Sequence, residues 1–324
     1  PGRLNDHLDK GNLNRYHIRY LVIDEFDKCL EMGFQDEMSR LVKSLPGLRR
    51  HFLLSATEAE EIPRFVHMGR VEKIDYRMDE EQVPERVHIY KVESPVKDKL
   101  ESLGMLLRSL GDQSTIVFLN YRDSVERTNK YLVEQGFSTS FFHGGLEQKE
   151  REASLYRFSN GSANILVSTD LASRGLDIPD IDNIIHYHMP ESEDGYIHRV
   201  GRTARWEAQG RAFFLLGPEE HIPDYVDAEV EDYEIPAVEE LPMPAKPKMA
   251  TLYIGKGKKD KISKGDILGF LCKKGGLNSS EIGKIDVNDR YAYAAIARPK
   301  LRSVLNNVKG EKIKGVKTIV EEVR

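Results

Sequence analysis

The 324-residue sequence has few cysteines, no long apolar run and no phosphate-binding loop. Its two cysteines, Cys29 and Cys272, lie far apart in the chain, which argues against a disulfide framework and favours a reducing cytoplasm. No apolar stretch approaches the roughly 18 residues of a membrane-spanning helix, so we expect a cytoplasmic protein without a membrane partner. No glycine pattern ending in Gly-Lys-Ser or Gly-Lys-Thr occurs. The chain as given therefore lacks the loop that wraps nucleotide phosphates.

Positive charge is missing from one segment and concentrated in the next. Residues 218–240 contain ten acids and no lysine or arginine, and a proline-rich stretch follows at 241–247. This composition predicts an extended tether. Residues 251–324 contain seventeen Lys and Arg against eight Asp and Glu, a balance of +9 in a chain whose net charge is -5. A basic terminal domain in an acidic chain favours a nucleic acid partner.

Residues 198–205, His-Arg-Val-Gly-Arg-Thr-Ala-Arg, combine one histidine and three arginines with a glycine. The rigid guanidinium fork of arginine fits phosphoryl oxygens, and arginines supplied from a neighbouring lobe can stabilise charge that develops at a γ-phosphate. The octet therefore indicates a phosphate site. A solvated surface face is the alternative.

Three polar loops upstream of the octet each follow an apolar strand pattern. Asp24 and Glu25 follow the strand at 20–23, and two carboxylates of this kind could hold Mg²⁺. An acidic turn before a helix is the alternative there. The other loops are Ser55-Ala56-Thr57 and residues 168–178. Polar loops at strand ends are where open α/β sheets bind ligands.

These four motifs, in this order, resemble motifs II, III, V and VI of the DEAD-box RNA helicases. They read DEFD, SAT, STDLASRGLDI and HRVGRTAR. Residues 1–3 resemble the end of motif Ib, residues 115–120 motif IV, and residues 148–151 the QxxR element. The likeness covers about residues 1–217. Two positions depart from it, because Phe26 stands where the family has alanine and Ala204 where it usually has glycine.

The resemblance implies an ATP-dependent RNA helicase that uses Mg²⁺. Asp24 would hold Mg²⁺ through water, and Glu25 would position and deprotonate the attacking water. The other residues implied to contact the nucleotide or to couple the lobes are Asp27, Ser55, Thr57, Asp177, His198, Arg202 and Arg205. Those implied to touch or organise the RNA backbone are Arg3, Gln148, Arg151 and Thr169. Phosphate contacts carry no base identity, so target choice would come from the basic tail.

The order of elements predicts an α/β protein with RecA-like parallel sheets. Strand and helix patterns alternate up to residue 217, and the leucines from Leu100 to Leu110 recur at helical spacing after a helix start at Ser94-Pro95. The expected domains are a partial first lobe (1–77), an inter-lobe linker (78–92), a complete second lobe (93–217), an acidic and proline-rich linker (218–249) and a small α+β domain (250–324). The short first lobe and the missing phosphate loop suggest an amino-terminal truncation.

The small α+β domain reads β-α-β-β-α-β, the order of an RNA recognition motif, with strands at 251–254, 282–287, 291–297 and 312–322 and helices at 263–274 and 299–308. Tyr291 and Tyr293 lie two apart and so share a face, where Tyr253 could join them to stack on bases. Packing under the helices of the domain is the alternative. Lys258 and Lys259 are candidate phosphate contacts.

The tail also resembles the carboxy-terminal domain of the DEAD-box protein A family. The likeness lies in Lys261-Ile262, in residues 265–269 and in residues 282–285. It implies an atypical recognition motif that binds a hairpin of large-subunit ribosomal RNA, and hence a role in ribosome assembly. A monomer is expected. A non-catalytic RNA-binding adaptor is the alternative function, although an adaptor has no use for Glu25 or for the two nucleotide-contacting arginines.

Overall fold

The computed structural model describes residues 1–31, 33–55, 72–74, 86–173, 181–203 and 209–323. The chain forms two compact units, residues 1–81 and 82–324, and each is described by itself. Across these described ranges, every helix is too short or too polar to cross a membrane.

The first unit has a pair of parallel strands covered by helices. Its elements are α1 (Gly2–Asp9), β1 (Tyr20–Ile23), α2 (Phe26–Glu31), α3 (Gln35–Lys43) and β2 (Arg50–Leu53). β1 pairs with β2 from Tyr20 with Arg50 to Ile23 with Leu53. The apolar faces of α1 and α3 pack on β1 through Leu8, Leu21 and Leu41. Both strands therefore end at one edge, where Asp24 and Ser55 follow them.

The second unit is built on a seven-stranded parallel sheet. Its strands are β3 (Val87–Glu93), β4 (Thr115–Phe118), β5 (Thr139–Phe142), β6 (Ile165–Ser168), β7 (Asn183–His186), β8 (Gly210–Leu216) and β9 (Val230–Asp232). They lie in the order β5-β6-β4-β7-β8-β3-β9. The central strands are apolar on both faces, since consecutive residues such as Ile116 and Val117 are fully buried. Helices cover both faces of such a sheet.

The helices of this sheet are α4 (Leu100–Leu110), α5 (Arg122–Glu134), α6 (Gln148–Ser159) and α7 (Glu193–Val200). The predicted helix start at Ser94-Pro95 is wrong, because the N–H of Ser94 donates to the carbonyl of Leu216 at 2.7 Å and α4 begins only at Leu100. The linker predicted at 78–92 is also wrong in its second part. Residues 87–92 belong to β3, which pairs with β8 inside the sheet.

The acidic segment packs against the second lobe, and the expected free tether is wrong for it. β9 adds to the sheet beside β3, and the ring of Tyr233 lies edge-on to Tyr90 at 5.7 Å between centroids. Arg108 then donates to the carbonyls of Leu241 at 2.6 Å and Pro242 at 2.7 Å. The composition of the segment predicted an extended tether because its acidic residues outnumber the few apolar residues that anchor it to the lobe.

The tail forms an antiparallel four-stranded sheet with two helices. Its elements are β10 (Met249–Ile254), α8 (Lys264–Lys273), β11 (Ile282–Val287), β12 (Ala292–Ala297), α9 (Leu301–Asn307), the hairpin strands β13 (Lys312–Ile313) and β14 (Val316–Lys317), and β15 (Val320–Glu322). The sheet order is β11-β12-β10-β15. The single strand predicted at 312–322 is wrong, since Lys314 and Gly315 take positive φ and turn the chain there.

Candidate functional site

The acidic end of β1 is held in an unusual backbone conformation. Glu25 has φ +49°, in the left-handed region that side chains other than glycine rarely adopt. Its N–H donates to Oδ1 of Asp24 at 2.9 Å, and the N–H of Phe26 donates to the carbonyl of Leu54 at 3.0 Å. Backbone strain of this kind clusters at functional sites. Ser55 follows β2 at the same edge, whereas Thr57 and the side chain of Asp27 lie outside the described residues.

The donor set at this edge fits a hydrated divalent cation. The Asp24 side chain is exposed, and its second carboxylate oxygen has no hydrogen-bond partner among the described residues. Glu25 lies next to it and is half-buried. Magnesium keeps most of its waters and needs one or two carboxylates together with substrate phosphates. Asp24 and Glu25 would therefore be sufficient protein ligands, and their role in holding Mg²⁺ stays a prediction.

Phe26, which replaces the family's alanine, is a core residue of the first unit. Its side chain is 1% exposed and packs in a cluster with Met38, Ile23 and Leu53. The backbone bond from Phe26 to Leu54 still joins the acidic end of β1 to the end of β2. The bulky side chain is thus accommodated without separating these two loops.

In the second unit, Arg199 organises the carboxyl edge of the parallel sheet, and sequence reasoning missed it. Its guanidinium is fully buried. It donates to both carboxylate oxygens of Asp170, at 2.5 and 3.0 Å, to the carbonyl of His188 at 2.8 Å and to Oδ1 of Asn120 at 2.8 Å. The loops after β4, β6 and β7 are thereby tied to α7. Two-pronged pairing with a carboxylate fixes geometry as well as charge.

The other described residues of the octet lie close to this buried arginine. His198 is on α7, with Nε2 at 3.2 Å from Oδ1 of Asp194. Arg202 is half-buried beyond the helix end, where its N–H donates to the carbonyl of Arg199 at 3.2 Å. Asp177, Ala204 and Arg205 lie outside the described residues. The nucleotide roles of these residues stay predictions.

The residues predicted to contact the RNA backbone lie in both units. Gln148 and Arg151 lie on the first turn of α6, where Nη2 of Arg151 donates to Oε1 of Gln148 at 2.9 Å. Thr169 follows β6 at the same sheet edge, and its N–H donates to the carbonyl of Phe142 at 3.2 Å. Arg3 lies exposed on α1 of the first unit. Nε of Arg151 is buried without a hydrogen-bond partner among the described residues.

The three tyrosines of the tail share one face of its sheet, as the strand alternation predicted. Tyr253 and Tyr293 are direct cross-strand partners in β10 and β12. The ring of Tyr291 lies 5.8 Å from that of Tyr253 and 5.3 Å from that of Tyr293. This cluster of Tyr253, Tyr291 and Tyr293 is called the tyrosine face below.

The tyrosine face is covered by α6 of the second lobe. Tyr293 is only 3% exposed, with its ring 5.0 Å from that of Tyr156, and burial raises its pKa to about 12. The hydroxyl of Tyr291 donates to Oε2 of Glu152 at 2.7 Å. The Lys149 ammonium lies 5.2 Å from the ring centre of Tyr253. The face is thus neither an open base-stacking platform nor packed under the domain's own helices.

Lysines of the tail line a cleft of 710 Å³ beside this contact. Lys258, one of the two predicted phosphate contacts, lines it together with Lys264 and Lys284. Lys259 pairs with Asp289 at 3.2 Å, and Lys264 and Lys284 lie 3.7 and 3.5 Å from Asp286. Sequence reasoning missed Lys264 and Lys284 because only the fold brings them to one cleft.

Comparison with known families covers most of the chain. Residues 1–65 match the DEAD/DEAH box helicase family, residues 98–207 the helicase conserved C-terminal domain, and residues 251–322 the DbpA RNA binding domain. The solved structure of Dbp5 from S. cerevisiae bound to RNA and ADP BeF3 superimposes with a TM-score of 0.60 at 24% identity. That match covers 72% of this chain and 64% of the other. It confirms the RecA-like fold class.

Two curated relatives align with nearly the whole chain. The ATP-dependent RNA helicase DbpA of Escherichia coli (strain K12) is 35% identical over an alignment of 324 residues that covers 97% of this chain and 70% of the relative. The DbpA of Bacillus subtilis (strain 168) is 31% identical, with coverage of 97% and 71%. The chain belongs to the DEAD-box family of ATP-dependent RNA helicases and carries the RNA-binding domain of the DbpA members.

Proposed function

We propose that this protein remodels short duplexes in structured ribosomal RNA during large-subunit assembly, as a cytoplasmic monomer driven by ATP. The helicase lobes would hold the RNA backbone without regard to sequence, because phosphate contacts carry no base identity. The tail would select the hairpin. The likeness of residues 251–322 to the DbpA RNA binding domain supports this division of labour.

The observation that carries the proposal is the position of the tail against α6. The lysine-lined cleft has residues of both partners in its walls, with Tyr156 from α6 and Lys284 from β11. α6 also bears Gln148 and Arg151. An RNA held by Lys258, Lys264 and Lys284 would lie beside the residues proposed to contact the core's RNA strand. The tail can thus deliver a hairpin to the lobe that acts on its neighbouring duplex.

The proposal that ATP drives the protein depends on residues of the first unit and on residues of the second unit. Asp24 and Glu25 would hold Mg²⁺, which supplies charge neutralisation to the phosphates when bound. Glu25 would take the proton of the attacking water. Arg202 and Arg205 would stabilise the charge that develops on the phosphoryl group, and Arg199 fixes the end of α7, just before Arg202, to the sheet edge. The 324 residues carry no phosphate loop, so we expect no turnover from them alone.

Hairpin preference of the 324-residue chain tests the proposal. Affinity for a fluorescent large-subunit ribosomal hairpin and for an unrelated hairpin of equal length is measured at two salt concentrations. We expect the ribosomal hairpin to bind more tightly at both. The double variant Lys264→Gln with Lys284→Gln should lower the slope of log affinity against log salt by about two, since two phosphate contacts are lost.

The matched control changes two lysines of the same domain outside the cleft. Lys309 and Lys317 are exposed, and Lys309→Gln with Lys317→Gln should leave the salt slope close to that of the wild type. Equal affinity for the two hairpins at both salts would contradict targeting by the tail. Equal effects of the two double variants would place RNA outside the lysine cleft.

A further inference from the structure

A chain of three hydrogen bonds joins the RNA-contact candidates of α6 to the tail. Nη2 of Arg151 donates to Oε1 of Gln148 at 2.9 Å. Nε2 of Gln148 donates to Oε1 of Glu152 at 2.8 Å. The other carboxylate oxygen of Glu152 accepts from the hydroxyl of Tyr291 at 2.7 Å. Glu152 therefore links Gln148 and Arg151 of the helicase lobe to the tyrosine face of the tail.

Other contacts of this interface involve neither Gln148 nor Arg151. Tyr156 packs on Tyr293, and Nδ2 of Asn160 donates to Oγ1 of Thr251 at 2.9 Å. Nη2 of Arg298 donates to the carbonyl of Ser162 at 3.3 Å. These contacts lie toward the carboxyl end of α6 and beyond it. They hold the tail whether or not Glu152 is engaged.

The two bonds to Glu152 support each other. A glutamate side chain loses rotamer freedom when it is held in one geometry, and here two donors share that single cost. Loss of either donor therefore weakens the hold on the other. A phosphate near Gln148 and Arg151 would compete with the carboxylate for the same amide donor. Its charge would also repel the carboxylate.

We propose that Glu152 couples RNA binding on the helicase lobe to docking of the tail. RNA at Gln148 and Arg151 takes the Gln148 amide away from Glu152 and thereby loosens the bond to Tyr291. The coupling is reciprocal, so a docked Tyr291 lowers the affinity of the lobe for RNA. This inference rests on the proposed RNA contact of α6. Glu152 acts through its neighbours and is a positioning residue.

The test uses the 324-residue chain and a fluorescent decauridylate, which has no hairpin. Tyr291→Phe removes the hydroxyl donor without any change of charge, and we expect it to raise affinity about fivefold, at the low end of measured coupling between sites. Tyr253→Phe is the matched control, because the Tyr253 hydroxyl has no hydrogen bond within the described residues. That variant should bind like the wild type.

A double-mutant cycle with Gln148→Ala separates coupling from a structural effect. In the Gln148→Ala background, Tyr291→Phe should no longer change affinity. Hydrogen exchange at the β12 amides should rise on decauridylate binding in the wild type and stay unchanged in Gln148→Ala. Unchanged affinity in Tyr291→Phe, or an equal gain in Tyr253→Phe, would overturn the coupling alone. If Gln148→Ala binds decauridylate like the wild type, the proposed RNA contact of α6 fails as well.

Discussion

Replacement of Arg199 by lysine should destabilise the second unit strongly although it preserves the charge. The guanidinium is fully buried and makes four hydrogen bonds, to Asp170 twice, to His188 and to Asn120. A lysine has one nitrogen and cannot reach these acceptors at once. Removal of one partner from a buried ion pair costs about 3–5 kcal/mol. Because lysine keeps the charge, we take the lower end, about 3 kcal/mol.

Calorimetric unfolding of the whole chain measures this loss. For a unit of this size, about 3 kcal/mol corresponds to a fall of roughly 6–12 °C in the midpoint of the second unit. Arg127→Lys is the control, because Arg127 pairs with Asp98 at 2.5 Å while its side chain is 62% exposed. An exposed pair contributes less than about 1 kcal/mol. If Arg199→Lys shifts the midpoint no more than Arg127→Lys does, the buried guanidinium does not hold the sheet edge together.

Three further predictions concern single buried rings. Burial raises the pKa of Tyr293 to about 12, so its stabilising contribution is full below about pH 10 and is lost as pH rises through about 12. The part of the tyrosinate absorbance that is present in the wild type and missing in Tyr293→Phe should therefore titrate well above pH 10, and a midpoint near 10 would contradict the burial of this ring. Burial lowers the pKa of His186 well below its usual value, so the contribution of this ring to stability is present above about pH 6.5 and is lost as pH falls. On acidification, the unfolding midpoint of His186→Phe should therefore fall less than that of the wild type, and equal falls would refute this. Phe26→Ala should cost about 3–5 kcal/mol in denaturant unfolding of the first unit, whereas Phe52→Ala, at 44% exposure, should cost far less; equal costs would mean that Phe26 is not a core residue.

The sequence predicted the elements that carry their own periodicity. The alternation of strands and helices predicted up to residue 217 is observed in the second lobe, because buried parallel strands are continuous apolar runs. The predicted start of α4 was wrong because the helix begins only after the buried Lys99, whose Nζ donates to the carbonyl of Leu215 at 2.8 Å. The local sequence around Lys99 has no pattern that indicates its burial.

The candidate site was predictable only where residue type alone reveals chemistry. Asp24, Glu25 and the octet arginines were predicted because acids after a strand and clustered arginines are unusual, and their roles stay predictions. Arg199 stood in the same octet, but its role depends on Asp170 and Asn120, which the fold brings to it. The two-residue spacing of Tyr291 and Tyr293 predicted that both side chains lie on one face of the sheet. It could not show that α6 covers this face, since such a contact joins residues more than a hundred positions apart.

RNA-stimulated ATP hydrolysis tests the central claim most directly. Phosphate release is measured with and without RNA for the 324-residue chain and for a longer form made by fusing a phosphate-loop segment before Pro1. We predict no RNA-stimulated turnover from the 324 residues and clear turnover from the longer form. Arg202→Ala in that form should lower turnover by about 10³-fold or more, as loss of an arginine finger does in related systems. Near-normal turnover by Arg202→Ala, or turnover by the 324 residues that Glu25→Gln abolishes, would contradict the account.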